Sequence, residues 1–207
     1  MTRVVEKEDW YKELDSSYKN PKSLMAKKMA IIQDLIKGSK LLDVGSGSGE
    51  LISRLAGKMD KVVGVEVNKN AYSGLKEKIK KFKNTSIFES LDKVEENNFD
   101  VCTTLDVLEH IEDPSETVEE IYSKLKKGGT YIVTIPNWYD FIYTKILKLN
   151  PYHVTFHTRY GWEKLLKEAG FEIESVRSIK WPLLSNDFLA KKLPFWGMCL
   201  VIVCKKK

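Results

Sequence analysis

Apolar positions along the chain follow two alternating rhythms. Short aliphatic runs bounded by turn residues read as buried strands, and stripes spaced by three and four read as helices. The strands are expected at Lys40–Val44, Lys61–Glu66, Thr85–Glu89, Phe99–Leu105, Thr130–Ile135, Phe171–Ile179 and Met198–Cys204. Between them, Met25, Met29, Ile32 and Ile36 form a helical stripe that Gly38 stops, and another helix begins near Glu50. Tyr72, Leu75, Ile79 and Phe82 mark the next one. A further helix has Asp113 to cap it, Pro114 for its first position and Glu116 to complete a capping box. Val118, Ile121 and Leu125 face inward there, Lys126 and Lys127 complement the dipole, and Gly128 ends the helix. The last helix runs from Arg159 to Ala169 with Trp162, Leu165 and Ala169 inward and Gly170 as its stop.

Strands alternating with helices predict a parallel sheet covered on both faces, an α/β Rossmann-like, doubly wound fold. No long crossover helix separates the last two strands, so the final strand is expected to run antiparallel. In such sheets ligands bind at the carboxyl ends of the strands where strand order reverses. The aromatic segment 137–150 fits neither strand nor loop and reads as a partly helical insertion over that site. A chain of 207 residues is most simply one domain, divided into an N-terminal helical cap (1–38), a cofactor-binding half (39–136) and an acceptor-side half (137–207).

The most informative stretch is Asp43-Val44-Gly45-Ser46-Gly47-Ser48-Gly49-Glu50, a strand end, a glycine turn and a helix start. It lacks the lysine and hydroxyl residue of a Walker loop, and its G-x-G-x-G spacing is not the dinucleotide G-x-G-x-x-G. Carboxylates at both ends, Asp43 and Glu50, would repel a pyrophosphate and suit a ligand carrying an ammonium and a sulfonium. Glu66, about 20 residues beyond the first glycine, is placed to accept ribose hydroxyls.

On these residues the chain resembles the class I S-adenosylmethionine-dependent methyltransferases. The glycine stretch matches the family's first motif and Glu66 its ribose-binding acid. Phe99-Asp100-Val101 opens its fourth strand, and Leu125-Lys126-Lys127-Gly128-Gly129 precedes its fifth. The resemblance implies a seven-stranded sheet of order 3-2-1-4-5-7-6 and S-adenosylmethionine as cofactor. It implies cofactor contacts from Asp43, Gly45, Ser46, Gly47, Gly49, Glu66, Val67, Leu105 and Asp106. For the adenine edge the register is open between Glu89 and Asp92, with Glu89, Ser90 and Leu91 favoured.

Asp106-Val107-Leu108-Glu109-His110 follows the fourth strand and is similar to an acidic-x-x-Glu-His element of two groups. These are the ubiquinone-biosynthesis O-methyltransferases, nearest in motifs, and the small-RNA 3′-terminal 2′-O-methyltransferases. In both groups the element helps hold a divalent cation. The resemblance therefore implies a metal set of Asp106, Glu109 and His110, completed by His153 or His157. Without metal, His110 can act as general base, and Glu109 with His110 can equally brace the loop. Trp138, Tyr139, Phe141 and Tyr143 would line an acceptor pocket, and Tyr11 and Tyr18 would close it.

Composition changes little. The net charge of +5 comes from 34 basic and 29 acidic residues, a solvated surface or a weak nucleic-acid footprint. Cys102, Cys199 and Cys204 fit no zinc spacing and read as core thiols. No apolar run reaches the length of a membrane span and no signal peptide is visible, so a cytoplasmic location is expected. The expected activity is methyl transfer to oxygen or nitrogen of a small molecule. The alternatives are an RNA 2′-O-methyltransferase, a cofactor-binding relative without catalysis and, more remotely, a nucleotide-dependent oxidoreductase.

Overall fold

The computed structural model describes residues 17, 18, 20, 23–137, 152–179 and 199–207. The expected insertion beyond Asn137, with Trp138, Tyr139, Phe141 and Tyr143, lies outside the described residues, as does Tyr11. The elements are α1 (Leu24–Leu35), β1 (Lys40–Val44), α2 (Glu50–Leu55), β2 (Lys61–Val65), α3 (Lys69–Ile79) and β3 (Thr85–Phe88). They continue with β4 (Phe99–Leu105), α4 (Ser115–Lys124), β5 (Leu125–Pro136), α5 (Arg159–Glu168), β6 (Phe171–Ile179) and β7 (Cys199–Lys206). The seven strands form one sheet of order β3-β2-β1-β4-β5-β7-β6. β7 pairs antiparallel with both β5 and β6, and the other neighbours are parallel.

Alternate side chains of each strand feed two cores, because successive Cβ atoms point to opposite faces. Leu41, Val62, Val101, Ile132 and Val201 join Met29, Ile32 and Ile36 of α1, Leu51, Ile52 and Leu55 of α2, and Leu75 and Ile79 of α3. Leu42, Val63, Cys102, Tyr131 and Ile202 face the other way, toward Val118 and Ile121 of α4 and Trp162 and Leu166 of α5. Burial on both faces is why these strands read as nearly continuous apolar runs. Among the described residues no helix is long and apolar enough to cross a membrane.

The expected boundaries at both ends of α4 move. α4 stops at Lys124, and the strand begins already at Leu125, which pairs with Phe99 of β4. Lys206 of β7 donates to the Leu125 carbonyl at 2.8 Å, drawing that segment into the sheet. Lys126 binds Asp100 rather than serving the helix dipole. At the other end the boundary residue is Pro114, and Asp113 accepts from the Ser115 N–H at 3.1 Å, so the predicted capping box with Glu116 is replaced by a shorter turn.

Asp100 positions the start of β1. Its carboxylate accepts from the N–H groups of Ser39 (2.7 Å) and Lys40 (2.9 Å) and meets the Lys126 ammonium. Burial alone would raise its pKa, but Lys126 and the two N–H donors override that and hold it at about 2. A depressed folded-state pKa gives stability that is present above the unfolded value and lost as pH falls through the folded one. Unfolding free energy is therefore expected to drop by about 1 kcal/mol between pH 4 and pH 2 through this one group, the half-exposed Lys126 ammonium being screened by water. Denaturant titrations across that range should show an acid limb that Asp100→Asn flattens. An unchanged limb in the variant would contradict this assignment.

Candidate active site

The turn after β1 is built on the end of β2. The two strands run in register, Val44 beside Val65. The N–H groups of Gly45 and Ser46 both donate to the Val65 carbonyl, at 2.8 and 2.9 Å, so the chain folds over the neighbouring strand. Gly45 has φ +76°, and a Cβ there would lie 2.3 Å from Val107 Cγ2. Gly49, at φ +73°, opens α2 with Leu75 directly against its Cα. The Ser46 hydroxyl donates to the Asp43 carbonyl at 2.8 Å, and Lys78 Nζ donates to the Ser48 carbonyl at 3.0 Å. The loop is thus held from within.

Asp43 lies buried beneath it. Its carboxylate accepts from the Thr103 hydroxyl at 2.6 Å. Burial raises its pKa to about 6, with Thr103 and Ser46 opposing.

Glu66 follows β2 and is 2 % exposed. One carboxylate oxygen accepts from the Gly47 N–H at 2.7 Å, the other from the Asn68 N–H at 2.8 Å. The acid therefore joins the glycine loop to the start of α3, where the Asn68 side chain accepts from Asn70 and Ala71. Beside it Val67 stands 48 % exposed, one of two large apolar residues so exposed among the described residues. At the end of β3, Glu89 reaches outward to Lys93 at 2.8 Å, and that pairing lowers its pKa. Ser90 leads into a single helical turn, Leu91–Lys93, in which Leu91 is buried.

Leu105 ends β4 and packs against the core on the α1 face. Asp106 then takes φ +56°, a left-handed conformation that aspartate tolerates better than most residues. Its N–H donates to the Thr134 carbonyl at 2.9 Å, and the Thr134 hydroxyl donates to its Oδ1 at 2.9 Å. Its Oδ2 is bound by the ammonium of Lys28, a buried residue of α1. Burial opposes charge on Asp106, but Lys28 outweighs it and the carboxyl pKa is lowered.

Three residues beyond, the structure gathers Glu109, His110 and His153, all buried, with ligand-capable atoms within 4.8 Å of one another. The two imidazoles meet edge to face at 4.8 Å. His110 Nδ1 lies 3.1 Å from the Tyr152 carbonyl, so Nδ1 carries the proton in the neutral ring and Nε2 offers the lone pair. The N–H groups of Val154 and Thr155 donate to the Glu109 carbonyl at 2.8 and 3.1 Å. The Thr155 hydroxyl adds a bond to the Ile111 carbonyl at 2.5 Å. A short strap carrying His153 is thereby fixed to the segment carrying Glu109 and His110.

Two members of the expected metal set stand elsewhere. Asp106 lies outside this group because Lys28 holds its carboxylate. His157 is exposed and rests edge-on against Trp162 at 4.8 Å. Lys28, Thr103, Thr134 and Gly64 escaped the sequence reading. Lys28 had a signal, since position 28 falls on the apolar stripe of Met25, Met29 and Ile32. Gly64 had one too, as a glycine inside an aliphatic strand; a Cβ there would meet Ser46 Oγ at 2.7 Å and Ile52 Cδ1 at 2.6 Å.

Comparison with known proteins gives a consistent picture. A family model described as a methyltransferase domain matches residues 17–176. A probable S-adenosylmethionine-dependent methyltransferase of Mycolicibacterium smegmatis is 24% identical over 69% of this chain and 55% of its own length. A ubiquinone biosynthesis O-methyltransferase of Marinobacter nauticus is 32% identical over 49% of this chain and 46% of its own. The chain spans about half the length of these curated relatives. Among solved structures, a SAM-dependent methyltransferase of Thermotoga maritima, described as a possible histamine N-methyltransferase, superposes with a TM-score of 0.73 at 20% identity, covering 97% of each chain.

Proposed function

This chain belongs to the methyltransferase-domain family, and from that premise we propose that it transfers the methyl group of S-adenosylmethionine to an oxygen or nitrogen of a small molecule. The observation that carries the reading is the bond from Gly47 N–H to Glu66, which joins the glycine loop after β1, beside the sheet's switch point, to an acid at the end of β2. The donor chemistry of the pocket fits this cofactor. Asp43 and Glu66 favour a cationic ligand, and Val67 offers an exposed apolar surface next to the ribose acid.

In this reading the main chain of Gly45, Ser46, Gly47 and Gly49 would hold the methionine part, and Glu66 the ribose hydroxyls. Val67 would cover one adenine face, with Glu89, Ser90 and Leu91 at its edge. Leu105 and Asp106 would border the methyl-bearing end. S-adenosylmethionine supplies an electrophilic methyl carbon. The acceptor's lone pair forms the new bond to that carbon while the carbon–sulfur bond breaks and its electrons return to sulfur. Alignment of this kind is worth roughly 7–11 kcal/mol. An oxygen acceptor must also lose a proton, and His110 Nε2, with His153 and Glu109 beside it, would take it.

His110→Ala is accordingly expected to lower kcat by roughly 10²–10⁴-fold while leaving cofactor affinity within about twofold. Steady-state kinetics with calorimetry would check both, and equal losses in the two would contradict the role. The experiment that tests the function is a screen of acceptor alcohols, phenols and amines read out as S-adenosylhomocysteine formed. No turnover of any of them, with RNA methylated instead, would favour the second reading.

That second reading, an RNA 2′-O-methyltransferase, is favoured by the Glu109-His110 pair and the charge of +5. It requires RNA binding that weakens steeply with salt. In either reading Glu109, His110 and His153 fit a divalent cation, their imidazole and carboxylate donors suiting manganese, iron or zinc better than magnesium. Such a cation would lower the pKa of an acceptor hydroxyl. Activity that survives EDTA, with no metal copurifying, would remove it from the account.

A further inference from the structure

Lys28 is a charged side chain that methyl transfer itself does not require, yet it is sealed in the protein at 3 % exposure. Burying an ammonium is costly unless a specific partner compensates it. Its partner, Asp106, keeps 24 % of its side chain exposed. The lysine is therefore the inner member of the pair, and the carboxylate the member that keeps some exposure. Two observations put the pair beside the proposed cofactor pocket. Asp106 directly follows β4, the strand on one side of the switch point. The next residue, Val107, fills the space against Gly45.

Resting on the cofactor reading above, we propose that Lys28 sets the charge of this pocket. By cancelling the Asp106 carboxylate, it keeps the site from holding a sulfonium cation far more tightly than the neutral thioether left after transfer. An unscreened carboxylate near the donor sulfur would stabilise the cationic ground state and be lost as a stabiliser when the charge disperses. Lys28 acts through Asp106 and is a positioning residue, touching neither ligand.

The test is the ratio of dissociation constants for S-adenosylhomocysteine and S-adenosylmethionine, measured by calorimetry at one low ionic strength. Lys28→Met keeps the length and apolar stem but removes the charge. The ratio is expected to move roughly three- to thirtyfold in favour of the sulfonium, the range for a unit charge several ångströms away in a partly wet site. Asp106→Asn is expected to move it the opposite way, and the double variant to return toward the wild-type ratio. Lys28→Arg should leave the ratio in place. A merely structural pair would weaken both ligands alike in every variant. Ratios within twofold of wild type in Lys28→Met and Asp106→Asn, with both ligands bound, would overturn the inference alone. Should Lys28→Met not fold, the sign of the Asp106→Asn shift decides. Failure of the unmodified protein to bind either ligand would overturn the cofactor reading and this inference with it.

Discussion

Replacing Glu66 by alanine is expected to raise the dissociation constant for S-adenosylhomocysteine by about a hundredfold or more. Two charge-assisted hydrogen bonds to ribose hydroxyls would be lost, each worth roughly 1.5–3 kcal/mol. The same change removes the acceptor from the N–H groups of Gly47 and Asn68. Each orphaned donor costs about 1–3 kcal/mol where water cannot replace the carboxylate. The free protein should therefore also lose thermal stability, and the loop should loosen where the cofactor must sit. Glu66→Gln separates the two effects. It keeps one carbonyl acceptor and the side-chain length but turns an NH2 group toward the other N–H, so stability should recover only in part while affinity remains roughly tenfold weaker. An alanine variant that binds the thioether within threefold of wild type would remove Glu66 from the site.

The second large effect is predicted at Gly45. Alanine there meets two separate obstacles. The left-handed φ of +76° costs an L-residue roughly 1–2 kcal/mol. The new methyl would also stand 2.3 Å from Val107 Cγ2, well inside contact distance, and overpacking of that kind costs about 1–3 kcal/mol. Gly45→Ala is expected to lower stability by about 2–5 kcal/mol in denaturant unfolding and to abolish cofactor binding, because the turn must shift off the Val65 carbonyl. Val107→Ala in the same chain should restore the steric part and leave the backbone part. Full recovery in the double variant would show that the conformation of Gly45 is not strained, and no loss in the single one would contradict the packing.

Much of the fold could be read from the chain because burial on both sheet faces leaves an unmistakable mark. β1, β4 and β6 begin and end where their aliphatic runs do, at Lys40–Val44, Phe99–Leu105 and Phe171–Ile179. The antiparallel last strand followed from the missing crossover helix. The start of β5 did not, because Lys126 and Lys127 look like a helix end, and only Phe99, Asp100 and Lys206, distant in sequence, hold that segment to the sheet. Glu66 was legible from its spacing to Gly45. The bond that makes it part of the loop, from Gly47, was not, since it depends on side-by-side strands.

Around the acid–base cluster the sequence supplied residue types but no distances. Glu109, His110 and His153 come together because the strap at 153–155 hydrogen-bonds to the 109–112 segment. His157, four residues on, is exposed and rests against the outer edge of buried Trp162. Asp106 had every local mark of a ligand. What claims its carboxylate is Lys28, on a helix whose polar position inside an apolar stripe was the one available warning.

The central claim is tested most directly by titrating the purified chain with S-adenosylhomocysteine and, separately, with NAD in a calorimeter. One molecule of the thioether should bind per chain with micromolar affinity, and NAD should give no heat of binding. Saturable binding of NAD with none of the thioether would contradict the account.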